Sequence, residues 1–213
     1  HIANRLPDGT RVVELRSAPD AAAPILDGRL REQINLPGDG LVELIAPYPK
    51  SGSSPTGFGS RLWRARVSTP GKLSRYLCEQ ARPIGYGYLS ASFPISAYQT
   101  IFALHPGSAE MPSAGRPFSA ELVTRLVAQG VIFAPVTLHT GLSSQDAGEA
   151  PQPEWFEVAE ATADVINSSR TRGGRVIAVG TTATRAVESA AQPDGTVAAV
   201  AGWTDLVISP DRP

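Results

Sequence analysis

The hydrophobic pattern of this chain changes period part-way along it, and the change asks for two architectures in succession. Up to about residue 82 the apolar residues fall in short runs that partly alternate with polar ones. Arg11-Val12-Val13-Glu14-Leu15-Arg16 follows a Pro7-Asp8-Gly9 turn, and Leu41-Val42-Glu43-Leu44-Ile45-Ala46 follows Pro37-Gly38-Asp39-Gly40. Leu62-Trp63-Arg64-Ala65-Arg66-Val67 puts two arginines on one face. Short strands punctuated by glycine and proline predict a small antiparallel β-barrel over residues 1–82. The stretch 51–60 reads as a flexible surface loop by its Ser and Gly content, and a short helix from about Gly71 to Gln80 closes the section.

From about residue 119 the rhythm is that of an α/β fold. Ser119 is placed as a helix N-cap with Glu121 in the first turn; Leu122, Val123, Leu126 and Val127 form one stripe, and Gly130 stops the helix. Residues 131–139 are apolar enough for a buried strand, with Pro135 demanding an edge or a bulge. A helix is expected over Ala159 to Arg170, ending at Gly173-Gly174, and another from Thr182 to Ala191. Arg175-Val176-Ile177-Ala178-Val179 and Leu206-Val207-Ile208 read as strands. Alternating strands and helices predict an α/β catalytic domain over 83–213 with a largely parallel sheet, whose ligand sits beyond the carboxyl ends of the strands.

Composition excludes several classes. No apolar run approaches the roughly 20 residues that cross a bilayer, and the start His1-Ile2-Ala3-Asn4-Arg5 has no signal pattern and reads as an interior start. The single cysteine, Cys78, leaves no internal disulfide framework, fits the cytoplasm, and is expected to be a buried structural thiol. The three histidines, His1, His105 and His139, have no metal-ligand spacing, so no metal is expected. Charge is uneven: residues 1–82 carry 12 Lys and Arg against 8 acids, and residues 83–213 carry 7 against 12. A basic first domain suits a polyanion, with Arg61, Arg64, Arg66 and Arg75 as its contacts.

Three segments could carry chemistry. Thr137-Leu138-His139-Thr140-Gly141 delivers a hydroxyl and an imidazole from a strand end into a loop, and the imidazole could act as acid or base near neutral pH. Val179-Gly180-Thr181-Thr182-Ala183-Thr184-Arg185 turns through glycine into a helix whose first amides favour a carboxylate or phosphate; Arg185 and Glu188 stand in position for a surface ion pair. Residues 106–117 form a long Gly/Pro/Ser-rich loop of the binding-loop type. No serine sits in a nucleophile elbow.

These segments, with others, form an ordered set: Tyr98-Gln99-Thr100-Ile101-Phe102-Ala103, Pro112-Ser113-Ala114-Gly115, Phe133 to Gly141, Glu154-Trp155-Phe156-Glu157, Val179 to Ser189, and Gly202-Trp203-Thr204-Asp205-Leu206-Val207-Ile208. In this order they resemble the motifs of the S-adenosylmethionine:tRNA ribosyltransferase-isomerase family of queuosine biosynthesis, firmly from Tyr98 to Pro210. The resemblance implies an α/β barrel-like catalytic domain beside a small antiparallel β-barrel, the chain being incomplete at both ends. It implies movement of the ribosyl part of S-adenosylmethionine onto a 7-aminomethyl-7-deazaguanine base in tRNA, with adenine and methionine leaving. S-adenosylmethionine is then a substrate, with no prosthetic group, and tRNA a partner through the β-rich domain.

On that template His139 is expected to transfer a proton and Thr137 to assist it. Thr181, Thr182 and Arg185, with the helix start at Gly180, anchor the substrate beside Gly141. Tyr98, Gln99, Thr100, Ser113, Ala114, Gly115 and Arg116 hold the nucleoside. Against the family pattern, Ala97 replaces an arginine, Arg116 and Pro117 replace leucine and histidine, and Gln152-Pro153 lacks a histidine before Glu-Trp. The same residues suit two further readings: a relative with another acceptor, and a non-catalytic S-adenosylmethionine-binding protein.

Overall fold

A computed structural model describes residues 1–18, 21–48, 59–84, 91, 93–142 and 152–209. The chain divides into two compact units, His1–Ala97 and Tyr98–Pro213.

In the first unit β1 (Ile2–Arg5), β2 (Arg11–Glu14), β3 (Gln33–Leu36), β4 (Gly40–Tyr48) and β5 (Leu62–Ser68) precede α1 (Leu73–Gln80). They form one five-stranded antiparallel sheet in the order β1-β2-β5-β4-β3. Alternation along β5 does what it should: Trp63 and Ala65 enter the core with Val13, Val42 and Leu44, while Arg64 and Arg66 stay less buried. The sheet is open, which corrects the expected barrel. Among the described residues β1 pairs only with β2 and β3 only with β4, and two four-residue edge strands offer little ladder for closure.

Glu14 ends β2 nearly fully buried, sharing hydrogen bonds with the His1 ring (3.0 Å), Arg16 (3.0 Å) and Arg61 (3.1 Å). Burial alone would raise its pKa; these partners override that and hold the carboxyl at about 2. The other arginines of the expected nucleic-acid face are also paired, Arg64 with Asp8 (3.5 Å), Arg66 with Glu43 (2.7 Å) and Arg75 with Glu79 (2.8 Å).

Cys78 is exposed, not buried. The inward residue of α1 is Tyr76, whose hydroxyl donates to the Pro37 carbonyl, and a position two residues on lies about 200° round the helix. Residues 51–58 of the expected loop lie outside the described residues, as do Gly85–Tyr88, Ser143, Ser144 and Pro210.

The second unit contains α2 (Ala120–Ala128), β6 (Thr137–His139), β7 (Glu154–Val158), α3 (Glu160–Thr171), α4 (Thr181–Ser189) and β8 (Val200–Thr204). The Ser119 hydroxyl caps α2 by accepting from the Leu122 amide at 3.1 Å, and Gly130 beyond its end has φ +88°. Helix α3 ends before Gly173 as read, and α4 starts one residue earlier than expected.

The sheet is corrected more deeply. It is three-stranded, in the order β6-β7-β8, and both pairings are antiparallel. Among the described residues no helix lies between β6 and β7 to supply the crossover that a parallel neighbour needs; residues 143–151 of that connection lie outside them. The segments 131–136, 175–179 and 206–208 are not strands. Ile132 (68 %) and Ile177 (75 %) stay exposed, as do Val131, Val176, Val179, Val207 and Ile208. β-rich composition makes a strand only where a neighbour completes the ladder. Leu138, Phe156 and Val158 pack instead against Ala163 and Ile166 of α3 and Ala186 of α4.

Candidate functional site

The hairpin of β6 and β7 brings together the ends of both strands and the start of α4. His139 pairs with Trp155 and Leu138 with Phe156, so Gly141 and Leu142 leave β6 beside Gln152 and Glu154, which enter β7. Glu154 shares the inward face of its strand with Phe156 and Val158. Its carboxylate accepts the Gly141 amide at 2.7 Å through Oε1 and Arg185 Nη1 at 2.5 Å through Oε2. Arg185 also donates to the carbonyls of Gln152 (3.2 Å) and Thr204 (3.3 Å). One guanidinium thus ties α4 to β8 and to both ends of the β7 entry. The expected partner was Glu188; Glu154, its side chain 14 % exposed, takes its place.

A cleft of about 460 Å³ opens over this knot, lined by residues 110–114, Thr140, Gly141, Leu142, Gln152, Glu154, Val179, Gly180, Thr181, Thr182 and Arg185. Gly180 explains how two of its walls meet. The backbone has φ +92° and ψ 158° there, a region almost confined to glycine. A Cβ at that position would lie 2.8 Å from the Ala114 Cβ. The glycine therefore lets the 3₁₀ turn Ser113–Gly115 approach the start of α4. Among the described residues no side-chain cap closes that start, which carries the positive end of the helix dipole.

The loop on the other side is sewn to the β6 end. The Ala109 amide donates to the Thr140 carbonyl (2.9 Å), the Thr140 amide to the Ser108 hydroxyl (3.3 Å), and the Thr140 hydroxyl to the Glu110 carbonyl (2.8 Å).

Of the residues singled out in the sequence, Ser113, Ala114, Gly141, Gly180, Thr181, Thr182 and Arg185 line the cleft together. They meet across an antiparallel hairpin and not above parallel strand ends. Gly115 is buried behind the wall, within van der Waals reach of Thr100 and Phe102. Tyr98 closes a 3₁₀ turn (Ile95–Tyr98), and Gln99 and Arg116 are exposed; these three, like Thr100, Gly115, Thr137 and His139, are not among the lining residues.

Thr137 and His139 share the face of β6 turned away from buried Leu138. The His139 ring stacks on Trp155, with centroids 5.3 Å apart and planes 20° from parallel. Gly107 lies so close that a Cβ there would fall 2.6 Å from the imidazole. Burial, helped by His105, lowers the His139 pKa below its ordinary value, favouring a neutral ring at pH 7.

Gln152, Glu154, Met111 and Leu142 were not foreseen as site residues. The usable signal was Glu154: a carboxylate at an inward position of an alternating strand requires a cation, and Arg185 follows one segment later.

Residues 56–213 match the model of the family described as queuosine biosynthesis protein. The chain is 46 % identical over 120 residues to the S-adenosylmethionine:tRNA ribosyltransferase-isomerase of Gloeobacter violaceus, covering 53 % of this chain and 34 % of that protein. The enzymes of the same name from Ralstonia pickettii (43 % over 126 residues, 56 % and 35 % covered) and Symbiobacterium thermophilum (44 % over 120 residues, 53 % and 35 % covered) match similarly. The matched stretch thus spans about a third of the length of these curated relatives. Because the family match runs through well over half of the chain and takes in every residue of the cleft, the chain belongs to the queuosine biosynthesis protein family.

Proposed function

We propose that this chain contributes the S-adenosylmethionine site of a tRNA ribosyltransferase-isomerase. In that reaction the ribosyl moiety moves to a 7-deazaguanine base of tRNA in the cytoplasm, and adenine and methionine leave. The observation that carries the reading is the cleft, where an uncapped helix start, two threonines and a compensated Glu154–Arg185 pair face apolar Met111 and Leu142. A sulfonium nucleoside with an amino-acid tail needs that mixture: an anchor for its carboxylate and an apolar wall for its base. The sulfonium acidifies the adjacent C5′ hydrogen, so the chemistry needs a base. A His139 ring kept neutral near pH 7 is suited to the task.

Transfer RNA is assigned to the β-rich unit, chiefly through Arg66 and Arg75, whose side chains are 64 % and 82 % exposed. Each is held by one carboxylate, and exposed ion pairs of this kind are worth about 1 kcal/mol or less, so phosphate can displace them. Arg61 is committed to Glu14.

The test is to incubate the protein with S-adenosylmethionine and follow adenine and methionine release with and without tRNA. His139→Ala is expected to slow release by about a hundred- to ten-thousand-fold and to leave ligand affinity within a few fold. A second reading, binding without turnover, is favoured by one observation: the imidazole packs on Trp155 and Gly107 as a structural histidine does. That reading predicts tight binding with no adenine release. Absence of both binding and release sinks both.

A further inference from the structure

Among the described residues, two polar atoms of cleft-lining side chains are closed to solvent and without a hydrogen-bond partner: Gln152 Oε1 and Arg185 Nε. Both residues line the cleft and touch each other, since Arg185 Nη2 donates to the Gln152 carbonyl. Gln152 is only 8 % exposed. Leaving a buried polar group unpaired is unfavourable, so a ligand that parts this wall and pairs with both atoms gains by it.

Their chemistry is fixed by what their neighbours already do. Gln152 Nε2 donates to the Leu142 carbonyl at 3.2 Å, which sets the orientation of the amide and leaves Oε1 as an acceptor awaiting a donor. Arg185 Nε is a donor awaiting an acceptor. The surroundings are electrically compensated, because the guanidinium is already matched by Glu154 at 2.5 Å. A full ammonium set against the neutral amide, or a second carboxylate set against Arg185, would bring in a charge without a counter-charge. A neutral edge presenting an N–H donor beside a ring acceptor brings in none. The charged tail of the ligand has its own place at the uncapped start of α4.

We infer that Gln152 and Arg185 read the amino edge of adenine: Gln152 Oε1 accepts from the exocyclic amine, and Arg185 Nε donates to a neighbouring ring nitrogen. The inference rests on the reading that the cleft holds S-adenosylmethionine, and it makes Gln152 a specificity-determining residue for the base. The amide would reject a 6-oxo purine, whose carbonyl would oppose the Gln152 carbonyl.

Calorimetry with S-adenosylhomocysteine and its 6-oxo (inosyl) and 6-hydrogen analogues tests this on the unaltered protein. The expected order of affinity is amino, then hydrogen, then oxo, with the oxo compound weaker than the amino one by about tenfold or more. Gln152→Met, which keeps the volume and removes the acceptor, should bring the three ligands within about threefold of one another, with its melting temperature recorded on the same preparation. Equal affinity of the unaltered protein for the amino and oxo compounds overturns the inference while the cleft assignment stands. So does a folded Gln152→Met protein that keeps the original order. If none of the three ligands binds, the cleft assignment and the inference fail together. Should Gln152→Met not fold, the order on the unaltered protein decides alone.

Discussion

Glu154 is a carboxylate folded toward the core, and its cost is offset only because both of its oxygens are used. One accepts the Gly141 amide and the other the Arg185 guanidinium, with side chains 14 % and 11 % exposed. Removing either partner leaves a charge in a place built for two, which costs about 3–5 kcal/mol. Glu154→Ala and Arg185→Ala should each lower the urea midpoint accordingly. Glu154→Leu combined with Arg185→Met should lose clearly less than the sum of the two single changes. Additive losses would show that the two side chains act separately. At this scale the sequence is readable where a residue type sets its own local structure, as Ser119 does at a helix start and Gly130 beyond its end. It is least readable where the role belongs to a pair. Glu154 and Arg185 are 31 positions apart, and neither shows its partner until strand register and helix face are known.

Elements differ in how local their causes are. Helices α2, α3 and α4 carry their own stop and start signals in Ser119, Gly130, Gly173 and Gly180, so their bounds were legible to within a residue or two. Strands depend on neighbours. Residues 175–179 have the composition of a buried strand but no ladder, while 154–158 form the central strand of their sheet. The antiparallel order rests on a register that pairs Thr137 with Glu157 and Glu154 with Thr204, which no local pattern displays. The Gly180 turn is the element-scale device on which the cleft depends. Gly180→Ala places an L-residue at φ +92° and pushes on Ala114. The backbone alone should cost about 1–3 kcal/mol, and displacement of the Ser113–Gly115 turn should weaken S-adenosylhomocysteine binding by about tenfold or more. Gly173→Ala is the control, because Gly173 has φ +72° with nothing within 4 Å of a built Cβ. It should lose stability and leave the affinity alone. Equal effects of the two changes on binding would remove the Gly180–Ala114 approach from the architecture of the cleft.

At the scale of the whole molecule, two apolar cores with no residue in common lie in two separately compact units. The change of hydrophobic period along the sequence reflects that division, whereas the barrels expected for each part depended on pairings that no local pattern specifies. Separate cores should give separate pH responses, and the three tryptophans are distributed to report them: Trp63 in the first unit, Trp155 and Trp203 in the second. In the first unit Glu14 has its pKa held at about 2 against an ordinary value of 4.5. The unfolded chain therefore takes up that proton first on acidification. The stabilisation, on the order of 3 kcal/mol, is complete above pH 4.5 and disappears as the pH falls toward 2. In the second unit the lowered His139 pKa has the same sign in a higher window. Below the ordinary value of 6.5 the unfolded chain binds the proton more readily than the folded one, so stability declines from there downward. A protein carrying Trp155→Phe and Trp203→Phe reports the first unit, and one carrying Trp63→Phe reports the second. In urea titrations, a step from pH 7 to pH 5.5 should lower the midpoint of the second signal and leave the first in place. A step from pH 4.5 to pH 3 should then lower the first, and Glu14→Gln should abolish that second response. Midpoints that move together at every pH would mean that the two cores unfold as one.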